Sequence, residues 1–265
     1  MPYPEIIYKY RDWVNPLHKR VLLNNELYFA SPKDFNDPFD FRITYNFSLL
    51  DTPRKREKYI EKIVLEFKES NSSRPLNVSQ MRGVMNAKLK DLSKVQKEYE
   101  EMMFTSNNNH QVIICFSAVW NPILMWSHYA NSHKGICIGF YEGKIKNFPT
   151  MVSGGMVSYQ TDYPQRDPLS SNHINDMFTI SHSKAISWSY ECEYRINKLF
   201  YPVPPSNKER IFMFPDGIIA EVILGVTISE DNKRDIVAIC RRKNISVYQA
   251  KKVPQKFNVT CVPVL

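Results

Sequence analysis

A chain of 265 residues and 31.1 kDa, with 43% hydrophobic and 23% charged residues, has the make-up of a globular protein, which excludes wholesale disorder and collagen-like repeats. No apolar run reaches the roughly 18 residues of a spanning helix, and Tyr8, Lys9, Tyr10 and Arg11 interrupt any leader-like stretch, so a cytoplasmic protein with no membrane contact is expected. The net charge of +8 is concentrated: Glu230 to Leu265 holds eight basic and three acidic residues, a net +5.

In chain order, EIIYKY reads as a strand, and Asn15-Pro16 supplies a helix cap with proline at the first helical position, for a helix to about Asn24. LYFAS (27–31) reads as a second strand, SPKDFNDPFD as a turn-rich segment and FRITYNF (41–47) as a third strand. Thr52-Pro53 opens a helix whose Tyr59, Ile60, Ile63, Val64 and Phe67 form one apolar stripe, and NSSRP around Ser72 ends it. A longer helix is expected from about Asn77 to Met103, which makes a helical hairpin inserted between strand-rich parts.

VIICFS suits a buried strand, Asn121-Pro122 caps a helix through ILMWSHYAN, and GICIGF is a second buried strand. MVSGGMVSY (151–159) reads as a hairpin or bulged strand, Gln160 to Ser171 as a surface loop, and Asn175 to Lys184 as a helix. A strand then covers the second half of ISWSYECEYRINKLFY. IIAEVILG, a helix from about Glu230 to Lys243 and ISVYQA close the chain as strand, helix, strand. The expected class is α+β, with mixed or antiparallel sheets in a single domain (1–265), a helical insertion over about 52–104 and a basic C-terminal unit over about 217–265. The five scattered cysteines read as reduced core thiols.

Several chemistries drop out. The chain has no CxxC, HExxH, Walker-type or G-x-G-x-x-G string, and only eight glycines. His128 with His133 and His173 with His182 lack ligand spacing, so no metal is expected. Three clusters concentrate polar and aromatic residues. The first joins Tyr8 to Arg11 with the turn holding Ser31, Lys33, Asn36, Asp37 and Asp40, which builds either an Asx-rich turn or a polar pocket. The second, Trp126, His128 and Tyr129, is either a packing helix or a ligand wall. The third is WSYECEYR, where strand alternation puts Glu191, Glu193 and Arg195 on one face, as a salt-bridged surface or as a site.

At these clusters the sequence resembles a bacterial family catalogued as domain of unknown function 2971. The matching blocks are KYR, LYFASPKDFNDPFD, ICFSAVWNPILMWSHYANSHKGICIGF, Lys184 to Arg195 and AEVILG, and the resemblance implies a mobile-element or phage-defence setting. A second resemblance is to ADP-ribosyltransferase folds, whose opening pairs a strand ending in a basic residue with a later LYFAS-like strand. It implies NAD as substrate, Arg11 and Glu193 as catalytic residues, and Tyr10, Ser31, Asn36, Asp37, Trp126, His128, Tyr129, Glu191 and Arg195 around the cofactor. The H-G or R-G string of those folds is missing at the end of the first strand, where Asp12 follows Arg11, and S-T-S is missing too.

In that reading a carboxylate stabilises the oxocarbenium-like cation formed as nicotinamide leaves, and Arg11 suits the diphosphate or ribose. Two alternatives stay open. One is a non-catalytic nucleic-acid or protein-partner binder using Arg241, Arg242, Lys243, Lys251 and Lys252; the other is a metal-independent nuclease using Lys9, Asp37, Glu193 and His128.

Overall fold

The computed structural model describes residues 4–70, 77–146, 153–170 and 173–265. β1 (Ile6–Arg11) leads into α1 (Pro16–Leu23), where the Asn15 side chain accepts from the Leu17 N–H and Pro16 occupies the first turn. β2 (Glu26–Tyr28) is shorter than LYFAS, because Phe29 to Ser31 leave it to reach a different partner. FRITYNF forms no strand. Phe41 takes a left-handed φ of 61° and packs beside Phe35, whereas Phe47 packs against Tyr59 in a separate core, so its alternating apolar residues serve two cores and not one sheet face.

The insertion holds three helices: α2 (Pro53–Ser70), α3 (Val78–Lys88) and α4 (Leu92–His110). The long helix expected from Asn77 to Met103 breaks at buried Leu89, and Asp91 caps α4 by accepting from the Lys94 N–H. These helices share a core of their own around Phe47, Leu50, Ile60 and Leu89, so the insertion is a three-helix unit ending at His110. The NSSRP breaker lies outside the described residues.

β3 (Gln111–Ser117), α5 (Ile123–Tyr129), β4 (Ile136–Tyr141) and α6 (Glu142–Lys146) follow. Asn121 does not cap α5: Pro122 holds the cap position with no side-chain bond. β5 (Ser153–Met156) and β6 (Ser158–Gln160) are not a hairpin, since β5 pairs with β8 (Glu193–Leu199) and β6 runs parallel to β7 (Ser183–Ala185), which follows α7 (His173–His182). β9 (Ile211–Met213) pairs with β2. β10 (Ile219–Leu224), α8 (Glu230–Arg242) and β11 (Ser246–Lys252) give the strand–helix–strand unit, with β10 and β11 parallel. β12 (Val259–Pro263), absent from the sequence reading, pairs antiparallel to β11 at the edge.

The class is α+β. Eight strands form one mostly antiparallel sheet in the order β12-β11-β10-β4-β1-β3-β8-β5, covered on both faces. Ile7, Ile138, Phe140 and Val222 join α1 and α8 in one core, while Tyr8, Tyr10, Cys137 and Ile223 pack on α5 across the sheet. Burial on both faces explains why β3 and β4 read as continuous apolar runs. Among the described residues no helix is long and apolar enough to cross a membrane. The five cysteines are free, with Cys137 and Cys240 buried.

Candidate functional site

The sheet is split at its centre. β1 and β3 register through one pair, Tyr8 with Ser117, whereas β1 and β4 register along six. Beyond Tyr8 the strands part, and the Lys9 Nζ reaches across to donate to the Cys115 carbonyl. Farther along β3, Ala30 takes over as partner and exchanges both backbone hydrogen bonds with Ile113 at 2.8 Å. A cavity of about 850 Å³ occupies the wedge. Gly135 permits this geometry: a Cβ there would overlap the Arg11 and Ala130 carbonyls, so only glycine lets the end of β1 lie against the end of α5.

One end of the cavity is a buried ion network. Arg195, wholly enclosed, grips Asp40 through two nitrogens at 2.8 and 2.5 Å and Glu193 through two at 2.8 and 2.9 Å, and donates to the Ser181 carbonyl. Lys184 lies 2.5 Å from Glu191, 3.3 Å from Glu193 and 3.8 Å from Asp40. Burial pushes the Glu193 carboxyl up, but Arg195 and Lys184 outweigh it and hold the group at about 2. Burial wins for Glu191 and Asp40, whose carboxyls are raised despite their cations. Lys184 also loses to burial, yet Glu193 and Glu191 more than compensate and raise it. Tyr129 donates to Glu191 at 2.7 Å and receives the Asn36 amide at 3.2 Å.

The wall formed by β1 differs. Lys9 and Arg11, two residues apart on a strand, share a face. Burial and then Arg11 bring the Lys9 ammonium down to about 7, and burial lowers Arg11 to about 10. The Arg11 guanidinium has no hydrogen bond or ion pair among the described residues. The carboxylates on the lining are committed elsewhere: Glu26 to Arg20, Asp34 to the Ser31 N–H, and Asp40, Glu191 and Glu193 to Arg195 or Lys184.

Of the residues singled out in the sequence, Tyr8, Lys9, Tyr10, Arg11, Asn36, Asp40, His128, Tyr129, Glu191 and Glu193 line this one cavity. Five others, Lys33 among them, stand off its surface. Trp126 is buried in the α5 core, edge-on to Tyr10, with its indole N–H on the Trp120 carbonyl. Ser31 donates to the Asn108 carbonyl, Asp37 accepts from the Phe39 N–H as a turn former, and Arg195 lies behind the acids it holds. Glu191 does not reach the cluster by strand alternation. It ends a 3₁₀ turn, Ile186–Glu191, and Cys192 follows in a left-handed conformation with φ 42°. Lys184 and His18 carry no role in the sequence reading, and Lys9 enters it through the Tyr8–Arg11 cluster and the nuclease alternative. The period-two pattern of KYR was the available signal for Lys9.

The basic C-terminal residues do not form one patch. Arg241 and Arg242 are exposed where α8 ends, near the start of β11, and Lys243 donates to Asn25. Lys251 and Lys252 end β11, about 20 Å farther along at about 3.3 Å per residue. Lys252 instead borders a second groove of about 780 Å³ with Lys256, His133 and Phe257, whose lining holds no acid. Among the described residues no group of three or more His, Cys, Asp or Glu side chains is arranged to hold a metal ion.

Residues 125–196 match the model of a family described as protein of unknown function DUF2971. The match covers this segment alone, and it is what the chain is similar to. Neither the curated proteins nor the solved structures give a match. The matched segment supplies His128, Tyr129, Lys184, Glu191 and Glu193 to the cavity, while Lys9, Arg11, His18 and Asn36 come from the N-terminal part of the chain.

Proposed function

We propose that this protein is an enzyme that binds NAD in the split of its sheet and cleaves the nicotinamide glycosidic bond, in the manner of ADP-ribosyltransferases. The observation that carries the reading is the unpaired Arg11 guanidinium facing the same cavity as the Glu191–Tyr129 pair. A volume near 850 Å³ falls within the range of cofactor pockets. Arg11 and Lys9 suit the diphosphate, and a carboxylate suits the cation that develops at the ribose.

The leading carboxylate changes on the geometry. Both Glu193 oxygens are taken by Arg195, one of them also by Lys184, whereas each Glu191 oxygen has a single partner and retains capacity toward the cavity. In this reading nicotinamide departs with the bonding electron pair, Glu191 faces the ribosyl cation, and water or an acceptor nucleophile closes the bond and releases a proton. Glu193 positions Lys184 and Arg195. Chromatography of NAD incubations tests it: wild type releases nicotinamide, and Glu191→Gln and Arg11→Ala each lower the rate at least tenfold. Wild-type protein that neither releases nicotinamide nor transfers ADP-ribose to nucleic acid or protein refutes the proposal.

A second reading, nucleic-acid binding, is favoured by the groove beside Lys252 and Lys256, where Phe257 is 99% exposed as a stacking surface. It predicts oligonucleotide affinity that falls steeply with salt and weakens in Lys252→Ala with Lys256→Ala, but not in Arg241→Ala with Arg242→Ala. Affinity unchanged in the lysine pair rules it out.

A further inference from the structure

Three nitrogen-bearing side chains meet on one wall of the cavity with no anion between them. Lys9 and Arg11 stand on the same face of β1, and His18 of α1 lines the cavity beside them. Lys9 gives its ammonium to a carbonyl, Arg11 has no partner, and the His18 Nδ1 is buried without a hydrogen bond among the described residues. All three are half-buried, and holding cations together in a partly desolvated wall without a counter-charge is costly. The nearby carboxylates relieve only part of that cost, because Arg195, Lys184, Arg20 and the Ser31 N–H already draw on their oxygens. An anion that brings several oxygens and more than one charge would satisfy all three groups at once. Phosphate oxygens do this better than a single carboxylate, since the Arg11 fork and the Lys9 point charge can take different oxygens.

We propose that Lys9, Arg11 and His18 form a receptor for the phosphate groups of a nucleotide, and that the anion enters together with a proton taken up by the receptor. The cavity's surroundings supply the reason for the proton. Lys9 is faced by Arg11 on its own strand, by Cys115 of β3, and by Glu193 and Glu191 across the wedge; burial and Arg11 prevail over these acids and bring its ammonium to about 7. His18 is faced by Arg11, Asp12 and Lys9, and burial keeps it below its ordinary value. Above pH 7 the empty receptor therefore holds a neutral Lys9, and a diphosphate seated against it restores the charged form.

This deepens the NAD reading in naming the ligand's phosphates, but it does not depend on bond cleavage. The probes are ADP-ribose, whose diphosphate keeps its charge between pH 6 and 9, and sulfate as a free tetrahedral anion. Calorimetry at pH 8 in two buffers of different ionisation enthalpy should show close to one proton taken up per ADP-ribose bound. Affinity should fall by up to about tenfold per pH unit between 7 and 9. Lys9→Met should bind with no uptake and a flat pH profile, Arg11→Ala should bind more than tenfold more weakly, and His18→Gln should weaken binding while keeping the uptake.

Sulfate competing with ADP-ribose in the millimolar range, together with far tighter ADP-ribose binding, assigns the site to a nucleotide; sulfate binding alone overturns that assignment. Binding without proton uptake, or equal affinity in wild type and Arg11→Ala, overturns the receptor. Uncleaved NAD with proton-linked ADP-ribose binding would sink the enzyme reading and leave the receptor standing, whereas cleaved NAD with no proton linkage would do the reverse.

Discussion

Replacing Lys9 by methionine tests how the wedge treats charge. In the folded chain Lys9 loses its proton near pH 7, against 10.5 for an ordinary lysine. At about 1.4 kcal/mol for each tenfold in proton affinity, holding the charged form inside costs about 5 kcal/mol, a ceiling that protein relaxation reduces. The sign follows from proton counts. Below pH 7 both folded and unfolded chains carry the proton and the full cost is felt. Between pH 7 and 10.5 only the unfolded chain carries it, so this residue makes stability rise with pH by up to about 1.4 kcal/mol per unit. Methionine, of similar length and uncharged, removes that dependence. Its lost hydrogen bond to the Cys115 carbonyl offsets the comparison by about 1 kcal/mol at every pH and leaves the slope alone. Urea unfolding of both proteins at pH 6, 7.5 and 9 should find Lys9→Met the more stable at pH 6, with its advantage shrinking by several kcal/mol at pH 9. An advantage that is absent, or constant with pH, refutes the placement of Lys9 as a desolvated cation.

Two further perturbations follow from the same region. Arg195→Met leaves Asp40 and Glu193 buried without their main cation and should cost about 3–5 kcal/mol in urea unfolding; adding Asp40→Asn and Glu193→Gln should recover part of it, and a single-variant loss under about 1 kcal/mol contradicts the network. Gly135→Ala forces a methyl group against the Arg11 carbonyl and should cost about 1–3 kcal/mol while weakening ADP-ribose binding more than tenfold; a stable variant with unchanged affinity would show that the end of β1 does not set the site.

Local signals in the sequence were legible where local physics decides. Asn15 and Pro16 start α1, and continuous apolar runs give β3 and β4, because a capping oxygen or a doubly buried strand acts within a few residues. Where tertiary contacts decide, the reading failed. FRITYNF has strand chemistry but feeds two cores, and Asp91, which looks like a helix interior, breaks one helix to cap the next. The candidate site was half legible. KYR, WSHY and ECEYR stood out by composition, but the partners that give them meaning are remote: Arg195 needs Asp40, 155 residues away, and Tyr129 needs Glu191, 62 residues away. Lys184 opens a family block but carries no local sign of its role, since nothing at single-residue scale says that a lysine seven positions before Glu191 will fold back onto it.

The split between β1 and β3 also has a mechanical meaning. Five strands lie on one side of it and three on the other, joined across the gap by the Tyr8–Ser117 pair and by the Lys9 ammonium on the Cys115 carbonyl. The central seam of the sheet is therefore its weakest line, and the contents of the cavity can rank among the ties that span it. A ligand seated there would act as a rivet between two halves that are each internally well bonded.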